Sequence, residues 1–220
     1  SSFGHRYIFL YLGGFILALA IEKWNLHRRI ALKIISLIGT NVRKIILGFM
    51  VATSFLSMWI SNTATTIMML PIGLAISLRL KDNPSTNMNE HTNFGKSLMI
   101  AIAYSASIGG IATLIGTAPN LVLAGIIEDL YQIEITFAQW LSIGFPVSIV
   151  LLIACWYYLT YIAFDFSSKS FPGGEGLIKQ QIKELGPISK NEKKVLLLFF
   201  IAAISWISRS VFLDKLIPGI

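Results

Sequence analysis

Apolar and polar positions fall in long blocks along the chain, and the blocks predict helices of membrane dimensions. Residues 7–21 (YIFLYLGGFILALAI) are apolar almost throughout, as in a membrane helix. In the following stretch, EKWNLHRRIALKIISLIG, apolar Trp24, Leu26, Ile30, Leu32 and Ile34 alternate with Lys23, His27, Arg28, Arg29 and Lys33. Wound as a helix, this stretch has a basic face and an apolar face, which suits a helix lying in the membrane interface. Residues 1–42 therefore read as a membrane helix followed by an amphipathic interfacial helix. Residues 43–58 and 67–78 are apolar pieces on either side of SNTATT. As helices they would be about 24 and 18 Å long, each short of the roughly 30 Å hydrocarbon core. The second helix is expected to begin near Thr65–Ile67. Residues 79–96 read as a polar loop with Asn83-Pro84 as a turn signal. Residues 97–130 repeat the theme: apolar SLMIAIAYSASI, then GGIATLIGTAPN, then apolar LVLAGII. A long span is predicted over 137–165, a polar linker over 166–194 and a last span over 195–213.

Composition sharpens this picture. The chain has 220 residues, 55% hydrophobic and 13% charged, with a mean hydropathy of +0.70. A soluble domain carries about twice that charge fraction. The fold class is an all-α polytopic membrane protein in the lipid bilayer of a plasma or inner membrane. The net charge of +7 is then an excess of cytoplasmic Lys and Arg rather than a nucleic-acid footprint. Cys155 lies alone in an apolar run, so no internal disulfide is expected. The chain opens on Ser and stops at LIPGI, and it is expected to be a piece of something longer.

Loop charge predicts a topology. Residues 22–44 are mainly basic and 166–194 hold six Lys, while the loop EDLYQIEIT at 128–136 is acidic with no Lys or Arg. Basic loops stay in the cytoplasm, so 128–136 should lie outside. One crossing by 97–127 and one by 137–165 satisfies this. Because 79–96 is also basic enough to remain inside, 43–78 reads as a re-entrant hairpin with SNTATT at its tip.

Non-helical backbone at membrane depth persists only where it is buried in protein or lines a wet cavity. Two such breaks in one chain suggest a shared site. Paired discontinuous helices in secondary transporters direct helix N-termini toward anionic substrates and offer carbonyls and hydroxyls to sodium. Ser57 and Ser61 are four residues apart, so their hydroxyls share one helical face. Asn62 adds an amide oxygen and Thr63 a hydroxyl. Such neutral oxygens are hard ligands suited to a small cation. In the second break, Gly109, Gly110, Gly116, Thr117 and Pro119 together predict an unwound helix, since Gly116 can expose its carbonyl and Pro119 cannot donate. A lone Ser or Gly would read instead as a helix-packing residue. Asn62 argues against that here, because a buried amide without partners is costly.

At SMWISNTATTIMMLP and GGIATLIGTAPN the sequence resembles the divalent anion/sodium symporter family, the sodium-coupled dicarboxylate, citrate and sulfate carriers. LGGFILALAIEKWNLHRRIAL resembles the same family's helix leading into its interfacial helix. The resemblance implies two inverted repeats, each with an SNT-tipped hairpin and an unwound helix. With a single SNT and a single unwound loop, this chain would be the first inverted repeat, without the second repeat of the carrier. It further implies Na+ bound by Ser57, Ser61, Asn62 and the Gly116 carbonyl. Asn62, Thr63 and Thr117 would face the substrate, a small divalent anion such as succinate, citrate or sulfate. A homodimer with an elevator motion is also implied.

Other classes fit less well. No HExxH, GxSxG or paired membrane carboxylate points to an enzyme, and His5, His27 and His91 lie near helix ends or in a loop. No ring of charge or filter sequence points to a channel. The broken segments hold no Asp, Glu or His for proton coupling, which favours sodium. The competing readings are a non-transporting membrane scaffold and a carrier of another anion with different ion coupling.

Overall fold

The computed structural model describes residues 6–39, 41–81, 88–164, 166 and 174–209, and its regular structure there is entirely helical. The helices are α1 (Arg6–Lys23), α2 (Leu26–Ile38), α3 (Val42–Ser57), α4 (Asn62–Lys81), α5 (Met88–Ile111), α6 (Ala118–Tyr131), α7 (Phe137–Tyr157), α8 (Gly174–Glu184) and α9 (Lys190–Ser208). A π-helical turn, Tyr158–Ala163, widens the end of α7.

Helix α3 is the axis of the molecule. Eleven of its sixteen residues are buried, and it packs against α2, α5, α4 and α7. Ile45, Ile46, Phe49 and Met50 from α3 meet Ile35 of α2 and Phe94, Leu98 and Ile102 of α5 in one core. By contrast, α7 buries only Phe137, Gly144, Ser148 and Leu152 and exposes Ile143, Val147, Val150 and Ile153. An apolar helix this bare would lose about 1.5–3 kcal/mol for each large side chain left in water. Its outer surface is built for lipid or for another apolar partner. Two helices, His91–Ile111 and Phe137–Ala163, are long and apolar enough to cross a membrane, and the pair Tyr7–Lys23 and Leu26–Ile38 makes a third if counted as one bent span.

That pair bends by 76° at Asn25, whose backbone is left-handed. The bend turns the basic, amphipathic α2 away from the apolar α1. A second left-handed residue, Gly39 at φ 118, turns the chain out of α2 toward α3, a conformation that disfavours any side chain. Arg29 of α2 then clasps the start of α9. Its Nε donates to Glu192 Oε1 at 2.7 Å and Nη1 to the Gly186 carbonyl at 2.9 Å. Glu192 is held in place by a capping box with Ser189.

Contacts between helix ends define two ends of the bundle. At one end, Trp156 Nε1 donates to the Arg43 carbonyl at 3.0 Å and Arg43 Nε to the Thr160 carbonyl at 3.2 Å. The Arg29 clasp and the packing of α8 on α2 and α4 lie at this same basic end. At the opposite end, the Tyr7 hydroxyl donates to the Ile135 carbonyl at 3.1 Å, and Arg209 pairs with Glu134 at 3.6 Å. Helices α1, α7 and α9 run from one end to the other.

Several boundaries differ from the sequence reading. Helix α4 begins at Asn62, not near Thr65–Ile67, so most of SNTATT is helical. The reason is local. Ser61 Oγ accepts from Ala64 N at 3.3 Å as an N-cap, and Thr66 Oγ1 bonds back to the Asn62 carbonyl at 2.8 Å. The expected loop 79–96 is shorter: α4 runs to Lys81 and α5 starts at Met88, and the Asn83-Pro84 turn signal lies outside the described residues. The linker 166–194 contains α8, whose Ile178 and Gln181 are buried. The last helix starts at Lys190, and residues 210–213 of the predicted final span lie outside the described residues.

Candidate functional site

Two breaks interrupt the helices, at residues 58–61 between α3 and α4 and at 112–117 between α5 and α6. Small residues bring them together. A Cβ on Gly109 would collide with the Ser54 backbone of α3, and one on Gly110 with the Asn62 amide. A Cβ on Gly116 would meet the Gly110 carbonyl at 2.6 Å. Asn62 and Gly116 therefore both pack on the same residue, Gly110.

Hydrogen bonds then lock the breaks to each other. Thr113 Oγ1 donates to the Met58 carbonyl at 2.5 Å and accepts from Gly116 N at 3.0 Å. Helix α5 ends with four carbonyls that lack the usual helical donor, and each finds a partner. Ile108 accepts from Ser148 Oγ at 2.9 Å, and Gly109 accepts from Ala112 N at 3.1 Å. Gly110 accepts from Asn120 Nδ2 at 2.8 Å and Ile111 from Trp140 Nε1 at 2.9 Å. Asn120 also serves the Thr113 carbonyl at 2.8 Å. The second break is thus an ordered loop rather than a frayed end. No donor among the described residues reaches the Gly116 carbonyl.

One turn away, oxygen atoms outnumber protons. Ser57 Oγ, fully buried, lies 2.7 Å from Asn62 Oδ1 and 2.6 Å from the Ala106 carbonyl. A hydroxyl has one hydrogen, so only one of those acceptors can be served at a time. The cluster offers neutral oxygens to a donor or to a small hard cation. Among the described residues no group of three His, Cys, Asp or Glu could hold a transition metal. Both α4 and α6 begin at these breaks, which places the positive ends of their dipoles there.

Of the residues singled out from the sequence, Ser57 and Asn62 are in direct contact, and Gly116 joins them through Gly110. Ser61 lies beside them at the cap of α4, partly exposed, and borders a small crevice with Trp59 and Tyr11. Thr63 is exposed on the first turn of α4. Thr117 caps α6 in position only, since its hydroxyl makes no capping bond. Neither threonine is drawn into the Ser57–Asn62 cluster. Two residues central to the geometry, Thr113 and Asn120, escaped the sequence reading. A buried amide needs partners, and the Asn of GTAPN is as conspicuous a signal for Asn120 as SNT is for Asn62.

An all-helical chain with bare apolar helices and two interlocked helix breaks is an integral membrane protein. It belongs to the family described as sodium:sulfate symporter transmembrane region, which it matches over residues 1–219. It is 50% identical over 217 residues to proteins named sodium-dependent dicarboxylate transporter SdcS from Staphylococcus aureus strains USA300 and COL. The alignments take in 98% of this chain and 42% of each relative. The chain thus spans less than half the length of these relatives.

Proposed function

We propose that this chain is the first repeat of a sodium-coupled carrier that moves a dicarboxylate such as succinate across the membrane, and that it is not an enzyme. The observation that carries the reading is the Ser57 hydroxyl, whose single proton faces two acceptors, Asn62 Oδ1 and the Ala106 carbonyl. A sodium ion near Ser57, Ser61, Asn62 and the Gly116 carbonyl, which no described donor reaches, would use the surplus oxygens. A half-turn of the Asn62 amide would instead present Nδ2 to Ser57 and satisfy all three atoms with no ion. This amide is the element that sodium would reorient. Thr63 and Thr117, with hydroxyls at the starts of α4 and α6, are suited to one carboxylate of the substrate. The relatives named for sodium-dependent dicarboxylate transport favour a dicarboxylate, and the family description keeps sulfate as the second candidate.

The arrangement of helix ends supports the re-entrant reading. Helix α3 starts at the basic end beside Thr160, and α4 packs against α8 at that same end. The pair would enter and leave on the cytoplasmic side and carry its tip about 24 Å inward. In this reading α5 and α6 form the crossing broken at 112–117, and α2 lies in the interface. The second repeat and a second copy of the carrier complete the transporter, which moves as an elevator. Reconstituting the carrier that contains this chain tests the function. Succinate uptake should require a sodium gradient, and Asn62→Ala should shift its sodium activation to higher concentration. Equal uptake in potassium would overturn the reading.

A further inference from the structure

At the basic end, away from the helix breaks, a cavity of about 220 Å³ opens between the start of α3 and the end of α7. Asn41, Arg43, Lys44, Trp156, Tyr161 and Phe166 line it. The guanidinium of Arg43 lies 4.3 Å over the Tyr161 ring, and its Nε is fixed by the Thr160 carbonyl. Trp156 holds the Arg43 carbonyl from below, so the arginine is positioned from three sides. Among the described residues no acceptor takes the two terminal nitrogens of Arg43, and no carboxylate lines the cavity. Lys44 is exposed beside it. The side chain of Asn41 already caps Lys44 N at 2.7 Å, so the anion preference comes from the side chains and not from the helix terminus. Tyr157, Tyr158 and Tyr161 are each about half exposed on the outer face of the same helix end. Tyrosines gathered at one level mark the water–lipid interface.

We infer that this cavity binds the phosphate of an anionic phospholipid from the cytoplasmic leaflet. A fixed guanidinium whose two terminal nitrogens no described acceptor takes matches a phosphate oxygen pair, and Lys44 adds a second positive charge. The aromatic floor of Trp156, Tyr161 and Phe166 takes the glycerol and upper acyl carbons. Anionic lipids concentrate in the cytoplasmic leaflet, and basic pockets between membrane helices on that side hold their headgroups. The bound lipid would brace the start of α3, the helix whose far end carries Ser57. The inference rests on reading the basic end as a membrane interface, and sided labelling of a cysteine at Gln180 tests that reading separately.

The test counts lipids on the full-length carrier by native mass spectrometry in a zwitterionic detergent. Dioleoylphosphatidylglycerol, dioleoylphosphatidylcholine and inorganic phosphate are the three probes. Phosphatidylglycerol should stay bound where phosphatidylcholine does not, and inorganic phosphate at equal concentration should not displace it. Arg43→Gln should lower phosphatidylglycerol affinity about tenfold. Lys44→Gln, at an exposed site that leaves the fold intact, should lower it several-fold, and Lys193→Gln on α9 should leave it unchanged. Equal retention of phosphatidylglycerol by wild type and Lys44→Gln, with Arg43→Gln also equal if it folds, would overturn the site. Equal retention of phosphatidylcholine, or displacement by equal inorganic phosphate, would overturn the lipid assignment.

Discussion

Asn120→Ala is the sharpest single perturbation of the second break. The native amide spends both hydrogens on one side, at 2.8 Å from the Gly110 carbonyl and 2.8 Å from the Thr113 carbonyl. Truncation leaves the Gly110 carbonyl without its donor and the Thr113 carbonyl with only the long 3.4 Å bond from Gly116 N, in a region where both residues are buried. A buried acceptor stripped of its partner costs about 1–3 kcal/mol, so full loss at Gly110 and partial loss at Thr113 together cost about 2–5 kcal/mol. Water entering the space left by the side chain offsets part of this, and about 3 kcal/mol is the expected net loss. Gly110 is also the surface on which Asn62 and Gly116 rest, so the penalty falls on the arrangement proposed to hold sodium. If all of it opposed ion binding, sodium affinity would fall about a hundredfold. The assay is sodium activation of succinate uptake by the reconstituted carrier, paired with a melting curve of the same preparation. We expect half-activation to rise at least about tenfold, the melting temperature to fall, or both. Ser107→Ala is the control, since that exposed hydroxyl only bonds back to Ala103 within its own helix. Wild-type sodium activation together with an unchanged melting temperature in Asn120→Ala would refute the reasoning.

Ser61→Ala should weaken sodium activation while costing about 1 kcal/mol of stability through the lost cap of α4, which separate uptake and melting measurements distinguish. Thr63→Val or Thr117→Val should raise the apparent succinate constant several-fold or change the preference between succinate and sulfate, with substrate-free sodium binding preserved. Abolished sodium binding in Thr117→Val would reassign that residue. After Cys155 is replaced, cysteines at Thr92 and Gln180 should label from the cytoplasm and one at Gln132 from outside. Labelling of Thr92 and Gln180 from opposite faces would remove the re-entrant hairpin. Burial opposes ionisation of Glu192, but the bonds from Arg29 and Ser189 outweigh it and hold the carboxyl below its ordinary value of 4.5. The unfolded chain therefore takes up the proton first. The Arg29–Glu192 clasp should stabilise the fold fully above about pH 4.5 and lose its effect as pH falls through the lower folded value. Thermal melts of wild type and Glu192→Gln should converge in that acid range, and a constant separation down to pH 3 would contradict this.

Much of the architecture was legible because membrane helices announce themselves by apolar length, and because amides and glycines are conspicuous inside them. The spacing of Ser57 and Ser61 predicts a shared helical face with Asn62 just beyond, and in the structure it is Asn62 that meets Ser57 while Ser61 caps α4. The start of α4 was not legible, since a polar run reads as an interruption whether its hydroxyls unwind the chain or cap and back-bond it as Ser61 and Thr66 do. Thr113 and Asn120 were hidden for a different reason. The Thr113 bond spans 55 residues to Met58, and the Asn120 amide depends on where the last turn of α5 stops. Only the packed breaks reveal either role. Helix α8 was obscured by the lysines around it, although the burial of Ile178 and Gln181 against the rest of the bundle makes it part of the core.

Direct sodium binding without substrate tests the central claim most closely. Equilibrium binding of radioactive sodium should be measured on the purified full-length carrier and on its Asn62→Ala variant, with Ser107→Ala as control. The account predicts that Asn62→Ala binds less sodium per carrier at saturation or binds it at least about tenfold more weakly, while Ser107→Ala matches wild type. Identical binding curves for wild type and Asn62→Ala would show that the surplus oxygens around Ser57 are not a sodium site.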